Sequence, residues 1–323
     1  MPCTAPSSSP GPTRSTKPRR AAWPADWMTT SDVLAAYARV ERFDAVGSTN
    51  DIVRSWLADG TPEVCVAVAD EQLAGRGRSG RSWTAPKGAA LLCSVGFRPT
   101  WLDAGHAWRL AAIVGLAMAD AAEEVAGLGE GTIRFKWPND LVIVHAGPEA
   151  LLIGDVPATD ARARRSAPLE LRKLAGILGE SEGLGTADPR LVVGIGINAG
   201  WKAADFPAEL EIAMTSLLEV SGGRPIDRDD LLDAFLGRLE TRLAALRGGR
   251  FDVAGWIARQ VTTGHLVTLS GLDGSMESIR AVGVDAASGA LVVDGVDALG
   301  QPADRLVHAG EIVHLRLADP GKV

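Results

Sequence analysis

Apolar positions recur at helical spacing in four stretches of the 323-residue chain, and dense or alternating apolar runs lie between them. Residues 30 to 40 read as a helix with Ser31 as its cap. A second helix starts at Ser48-Thr49-Asn50-Asp51, all cap residues, with Ile52, Val53, Trp56 and Leu57 on one face and Gly60-Thr61-Pro62 as its stop. A long apolar helix is expected over 104–126. The clearest one covers 227–246, capped by Asp227, with Leu231, Leu232, Phe235, Leu239 and Leu243 as a stripe. Strand-like runs fall at 64–69, 89–97, 133–136, 141–144, 174–180 and 191–198. From Val261 the pattern turns to short strands at 265–270, 278–284, 290–293 and 312–317, separated by Gly-rich turns, which predicts a small β barrel. Residues 145–169 have no clear period and read as a surface insertion.

These elements predict an α+β protein in which helices flank a mixed sheet, followed by a small C-terminal barrel. The expected boundaries are a disordered tail over 1–27, a first domain over 28–258 and a second over 259–323. The tail holds Pro, Ser and Thr with late charges at Arg14, Lys17, Arg19 and Arg20, and lacks the apolar stretch of a signal peptide. No run of 18 apolar residues predicts a membrane span. Charge narrows the classes further. The formal net charge is -7, which disfavours a general nucleic-acid binder. Cys3, Cys65 and Cys93 are odd in number and without metal spacing, so a disulfide framework is not expected. Cys65 and Cys93 sit in apolar runs and read as buried thiols.

Four segments carry candidate chemistry. Gly75-Arg76-Gly77-Arg78-Ser79-Gly80-Arg81 matches a dinucleotide-binding spacing, but Trp83, Pro86 and Gly88 follow where that site needs a helix. What the loop offers instead is three guanidinium groups suited to phosphate or carboxylate, on a backbone with no apolar anchor. It is expected to order over anions. Arg134-Phe135-Lys136-Trp137-Pro138-Asn139-Asp140 ends a strand in a turn, with Trp137 as core and Lys136 available to a phosphate or carbonyl oxygen. Lys173-Leu174-Ala175-Gly176-Ile177-Leu178 opens an apolar strand with a cation. Unlike charges ~4 Å apart attract by about 4 kcal/mol in a partly shielded site, enough to offset repulsion between two anionic reactants. In Val192 to Asn198, alternation puts Gly194, Gly196 and Asn198 on one face, a strip of bare backbone that invites close approach. The five histidines are scattered, and no Ser-His-Asp or Cys-His spacing is evident. The site thus reads as positioning and charge stabilisation without a protein nucleophile.

In this order the segments resemble the biotin–protein ligase family, over about residues 40 to 317. Ser48-Thr49-Asn50 is similar to its biotin-contacting triplet. Gln72 and the Gly75–Arg81 loop, with Trp83 behind it, are similar to its biotin and adenylate loop. Lys136 to Asp140 is similar to its K-W-P-N-D signature, and 173–178 and 194–198 to its K-L-A-G-I-L and G-I-G-I-N strands. The resemblance implies the class II synthetase-like (biotin–lipoate ligase) fold with an SH3-like C-terminal domain. It implies ATP and Mg²⁺ as cofactors, biotin as substrate and a biotinyl-5′-AMP intermediate. The acceptor would be a lysine of a biotin carboxyl carrier domain.

Carried over residue by residue, biotin would meet Ser48, Thr49, Asn50, Gln72, Arg76, Gly77, Arg78, Lys173, Gly176, Gly194 and Gly196. The adenylate would meet Arg78, Arg81, Trp83, Lys136, Asn139, Asp140 and Asn198. Lys173, Arg78, Lys136 and Asp140 would carry the chemistry, with magnesium brought by ATP. A cytoplasmic enzyme, monomeric or dimerising on ligand binding, is expected. Only about 40 residues precede Ser48 and no helix-turn-helix is read in them, so no repressor role, nucleic acid or membrane partner is expected. The alternatives are a lipoate or octanoate ligase of the same fold, a nucleic-acid binder using the Arg loop, and an inert biotin sensor.

Overall fold

The computed structural model of the chain describes residues 13–14, 36–145, 170–296 and 299–317. Eight strands form the main sheet: β1 (Thr13–Arg14), β2 (Arg39–Ala45), β3 (Cys65–Ala69), β4 (Ala90–Phe97), β5 (Ile133–Lys136), β6 (Asp140–His145), β7 (Glu170–Glu182) and β8 (Arg190–Asn198). Their order is β1-β2-β3-β4-β8-β7-β6-β5. Only β2 and β3 run parallel. A separate sheet of β9 (Leu266–Gly271), β10 (Met276–Val284), β11 (Leu291–Val296), β12 (Pro302–Val307) and β13 (Ile312–Leu317) is antiparallel throughout, in the order β12-β11-β10-β9-β13. The first half of β10 pairs with β9 and the second half with β11, with a bulge between Ala281 and Gly283. A bulge increases local twist, and this one turns the sheet toward the expected barrel.

Among the described residues, five α-helices cover the main sheet. On one face lies α1 (Thr49–Ala58), which packs Val53, Trp56 and Leu57 against Phe43, Cys65, Ala67 and Ala69. The other face carries α2 (Trp108–Ala126) and, outside it, α4 (Arg228–Arg247). Helix α2 is buried on nearly every side because it is sandwiched between sheet and helix, which explains its Ala-rich, almost uniformly apolar sequence. It ends at Gly127, whose φ of 60° suits the left-handed cap that glycine takes most easily. Helix α4 starts where its sequence signal lies: Asp227 accepts from the backbone N–H groups of Asp229 and Asp230. The short helices α3 (Leu217–Val220) and α5 (Val253–Ala258) complete the layer.

Three expectations change. Residues 39 and 40, expected to end a helix, instead begin the strand Arg39–Ala45, because parallel pairing of Arg39–Phe43 with Cys65–Ala69 outweighs local periodicity. Strand β7 begins at Glu170, so Lys173 lies within it instead of opening it. A fifth C-terminal strand, β12, follows β11; its exposed residues gave no apolar run. The tail, apart from Thr13–Arg14, and the insertion at 146–169 lie outside the described residues. Cys65 and Cys93 are buried free thiols, as expected. No described helix is long and apolar enough to cross a membrane.

One ion cluster ties the two sheets together. Arg259, which leads into the C-terminal sheet, reaches Glu123 and Asp120 of α2, each at 2.8 Å. Both Glu123 oxygens also accept backbone N–H groups, from Gly131 and Ile133. The Arg259 and Glu123 side chains are only 9% and 5% exposed, so each charge depends on the other for solvation. Removing one partner of such a buried pair costs about 3–5 kcal/mol. Arg259→Ala should lose that much in urea unfolding, and a loss below about 1 kcal/mol would contradict the burial seen here.

Candidate functional site

The site forms on the α1 face of the sheet, where β7 and β8 carry glycine. Helix α1 supplies Ser48, Thr49 and Asn50 at its N-terminus, 4%, 3% and 4% exposed. Ser48 is the N-cap residue yet makes no side-chain capping bond. Gln72 does that work from a distance: its Oε1 accepts from Thr49 N at 2.8 Å and from Thr49 Oγ1 at 3.0 Å. Ser94 of β4, fully buried, lies 2.7 Å from Thr49 Oγ1 and 2.6 Å from Asn50 Oδ1, one proton between two acceptors. Asn50 Nδ2 donates to Glu180 Oε2 at 2.6 Å. The polar end of the cleft is therefore a connected network whose donors and acceptors are fixed before any ligand arrives.

Glycine is needed at three places on the floor. A Cβ on Gly194 would stand 2.2 Å from Asn50 Oδ1. On Gly196 it would stand 2.6 Å from Trp83 Nε1, and on Gly176 3.2 Å from Trp83 Cζ3. The bare strip is thus approached by two of the protein's own side chains. The Trp83 Nε1 is buried with no hydrogen-bond partner among the described residues. A cleft of about 110 Å³ remains beside this ring, below the roughly 300–1,000 Å³ usual for small-molecule sites.

The arginine loop is more constrained than its sequence suggests. Arg76 forms a bidentate pair with Asp51 of α1, at 2.7 and 2.8 Å, and reaches Glu180 at 3.4 Å. Backbone bonds Trp83 N to Gly75 O (2.9 Å) and Gly77 N to Arg81 O (2.6 Å) close the loop like a hairpin. Its tip is one 3₁₀ turn, Arg78–Gly80, with Ser79 at φ 55°, and no helix follows, which removes the dinucleotide reading. Arg78 donates from Nη2 to the carbonyl of Ala309, in the C-terminal sheet region. Burial holds the Arg78 guanidinium below its ordinary pKa; neighbouring Arg81 adds to this and Asp140 opposes it.

The opposite end of the cleft gathers charge. Lys173 Nζ is 2.7 Å from Asp140 Oδ1 and 5.2 Å from the centre of the Trp83 ring. Lys136 pairs in register with Asp140 across β5 and β6. Its pKa is lowered, first by burial; Asp140 opposes the shift, and Lys173, Arg81 and Arg316 reinforce it. Lys173, Lys136, Arg81 and Arg316 around the one carboxylate of Asp140 leave an excess of positive charge suited to anionic ligands.

Of the residues singled out in the sequence, Ser48, Thr49, Asn50, Gln72, Arg76, Gly77, Arg78, Arg81, Trp83, Asn139, Lys173, Gly176, Gly194 and Gly196 line this one cleft. Asp140 joins through Lys173. Asn139 is held by exchange with Ile177: its Nδ2 donates to Ile177 O, and Ile177 N donates to its own carbonyl, both at 2.9 Å. Lys136, which stands beside Asp140 across β5 and β6, and Asn198 do not line the cleft. Asn198 is buried at the end of β8, and its amide donates to Thr215 O. Ser94, Asp51 and Glu180 were not singled out. Ser94 had a signal, as the lone hydroxyl in an apolar strand; Asp51 and Glu180 matter only through partners distant in sequence. Among the described residues no cluster of three or more His, Cys, Asp and Glu could hold a metal ion.

Comparison with known proteins agrees with this geometry. Residues 43–198 match the biotin/lipoate A/B protein ligase family. The biotin–[acetyl-CoA-carboxylase] ligase of Mycobacterium tuberculosis is 30% identical over 273 residues, 84% of this chain and 86% of that protein. The enzyme of the same name from Paracoccus denitrificans is 32% identical over 179 residues, 55% of this chain and 62% of that protein. Among solved structures, the biotin protein ligase from Aquifex aeolicus in complex with biotin and ATP superposes with a TM-score of 0.63. It is 24% identical and covers 87% of this chain and 99% of that one, a likeness of fold. With this fold, this cleft and a relative matched over most of both chains, the protein belongs to the biotin–protein ligase family.

Proposed function

We propose that the cleft joins biotin to AMP using ATP and then transfers the biotinyl group to a lysine of a biotin carboxyl carrier domain. The observation that carries the reading is a single cleft with a preset polar network at one end, a cationic cluster at the other and a side-chain-free floor between them. Ser48, Thr49, Asn50 and Gln72 supply the matched donors and acceptors that a ureido ring needs. A lipoate or octanoate ligase would need a long apolar slot there instead, so titration with biotin against lipoate separates the two.

In the first step a biotin carboxylate oxygen attacks the α-phosphorus of ATP. The bond to the bridging oxygen breaks, pyrophosphate leaves and biotinyl-5′-AMP forms. Lys173, held by Asp140, faces the junction of carboxylate and phosphate, and Lys136 with Arg81 and Arg78 neutralises the phosphates. Arg76, committed to Asp51 and Glu180, fixes the stem of the loop on α1. Trp83 leaves the glycine floor to cover the adenine, and Asn139 orients the nucleotide. Magnesium would be carried by the triphosphate and would offset its charge, with Asp140 the carboxylate nearest the cationic end of the cleft. In the second step the acceptor amine attacks the biotinyl carbonyl, the carbonyl–oxygen bond to AMP breaks and an amide forms. The amine proton goes to a nearby base, for which Asp140 is the candidate.

Residues 28–258 form the catalytic domain and 259–323 the C-terminal one in this reading. The protein works in the cytoplasm, as a monomer or ligand-promoted dimer, without a nucleic-acid partner. Incubation with ATP, Mg²⁺ and biotin should yield biotinyl-AMP, and its absence would refute the reading. Lys173→Ala should cut biotin-dependent pyrophosphate exchange at least ~100-fold, with the circular dichroism spectrum unchanged.

Lys136→Met separates function from stability. The Lys136 pKa is lowered in the fold, so the unfolded chain binds the proton more readily. The stability this group contributes is full above the ordinary lysine range and lost as pH falls through the folded value, so at neutral pH the buried charge is a burden. The variant should lose exchange activity and gain roughly 2 °C in Tm at pH 7. That gain should shrink as pH rises toward the lysine range.

A further inference from the structure

Two tryptophans outside the polar network grip the same turn of the C-terminal sheet. The turn joins β10 to β11 at residues 285–290. It is rigid in itself: Gly289 N donates to Asp285 O, Asp285 N to Ala290 O, and the Asp285 carboxylate accepts from Ser288 N and Oγ. Two of its carbonyls face the catalytic part of the chain. Ala287 O accepts from Trp108 Nε1 at 3.0 Å, and Gly289 O accepts from Trp137 Nε1 at 3.0 Å. Gly289 has φ 72°, and a Cβ there would stand 2.6 Å from Trp108 Cδ2, so the turn lies flat against that ring.

Neither indole is free to follow the turn if it moves. Trp108 starts α2 and is wedged edge-on against Phe251 (5.3 Å between ring centres) and tilted against Trp256 (4.8 Å). Trp137 is buried, and its backbone N–H donates to Thr262 Oγ1 at 3.0 Å. Two residues earlier, Phe135 exchanges backbone bonds with Arg259 and Val261. Packing alone would explain buried rings, but not two side-chain donors from separate elements converging on neighbouring carbonyls.

What the turn carries reaches the nucleotide end of the cleft. Strand β10 pairs with β9, and β9 with β13, which holds Arg316; the residues just before β13 present Ala309 O to Arg78. Trp137 is also the chain neighbour of Lys136. We propose that Trp108 and Trp137 form a clamp on the 285–290 turn that sets the C-terminal sheet over the nucleotide end of the cleft, making both tryptophans positioning residues for adenylate formation. The inference rests on the ATP-dependent reading of the cleft given above.

The test uses the full chain with Trp137→Phe and Trp108→Phe, which keep an aromatic ring and remove only the donor, and Trp256→Phe as a packing control. Biotin-dependent pyrophosphate exchange gives KM for ATP and for biotin separately. Trp108 is the decisive position, because neither tryptophan lines the cleft but Trp137 adjoins Lys136 in the chain. Each clamp variant should raise KM for ATP about 3- to 10-fold, the scale of one lost hydrogen bond, and leave KM for biotin within about 2-fold. Trp256→Phe should lower Tm without moving KM for ATP. An unchanged KM for ATP in Trp108→Phe, equal changes in both KM values, or the same shift in Trp256→Phe would each overturn the clamp. Should the wild-type chain itself show no exchange, the functional reading falls and the clamp falls with it; a wild-type rate with unaffected variants sinks the clamp alone.

Discussion

The strip of backbone left bare by Gly176, Gly194 and Gly196 is the constraint on which the site depends. Strands β7 and β8 pair Gly176 with Gly196 directly across the sheet, so the gap is two strands wide. A side chain at Gly194 or Gly196 would drive Asn50 or Trp83 out of position, and one at Gly176 would crowd the Trp83 ring. Because the floor is flat, α1 can bring its N-terminus down onto the sheet, and the polar triplet at its start becomes a buried array. Because the floor is empty, a flat ring can lie across it between the polar and the charged ends.

The two ends are organised by opposite means. At the polar end, the neutral groups of Gln72, Thr49, Ser94 and Asn50 satisfy one another, with Asn50 donating on to the Glu180 carboxylate, which fixes geometry. At the charged end, cations outnumber the one carboxylate between them, and burial depresses Lys136 and Arg78. Such a cluster is under strain until anions enter, so binding energy there is available for bringing carboxylate and phosphate together. The Arg76 pair with Asp51 and Glu180 belongs to neither end. It anchors the loop at its stem and leaves the tip, with Arg78 and Arg81, to meet the ligand.

The C-terminal sheet is joined to the catalytic part by chemistry at several points. The Arg259 cluster, the backbone pairing of Phe135 with Arg259 and Val261, and the two indole donors fall on the two ends of α2 and on strand β5 with the residue just past it. The strand bearing Lys136 therefore has its geometry set partly by residues more than 120 positions later in the chain.

How much was legible in the sequence follows from the range of each interaction. Helix α4 could be read because its cap and stripe are local, and the strands from β3 to β8 because apolar runs report burial directly. The glycine face followed from alternation along a single strand, and the motif order pointed to the family that the relatives bear out. Residues 39 and 40 were misread as helix, since the strand they begin exists only through pairing with β3. The loop was taken as unanchored because Asp51 and Glu180 are far from it in sequence, and Asn198 was placed at the cleft because nothing local shows that Thr215 claims its amide. The sequence by itself thus determined the elements, the floor and the kind of chemistry. Tertiary structure alone decided which charges face one another and which are committed to holding the site together, because electrostatic and hydrogen-bond partners are chosen by distance in space.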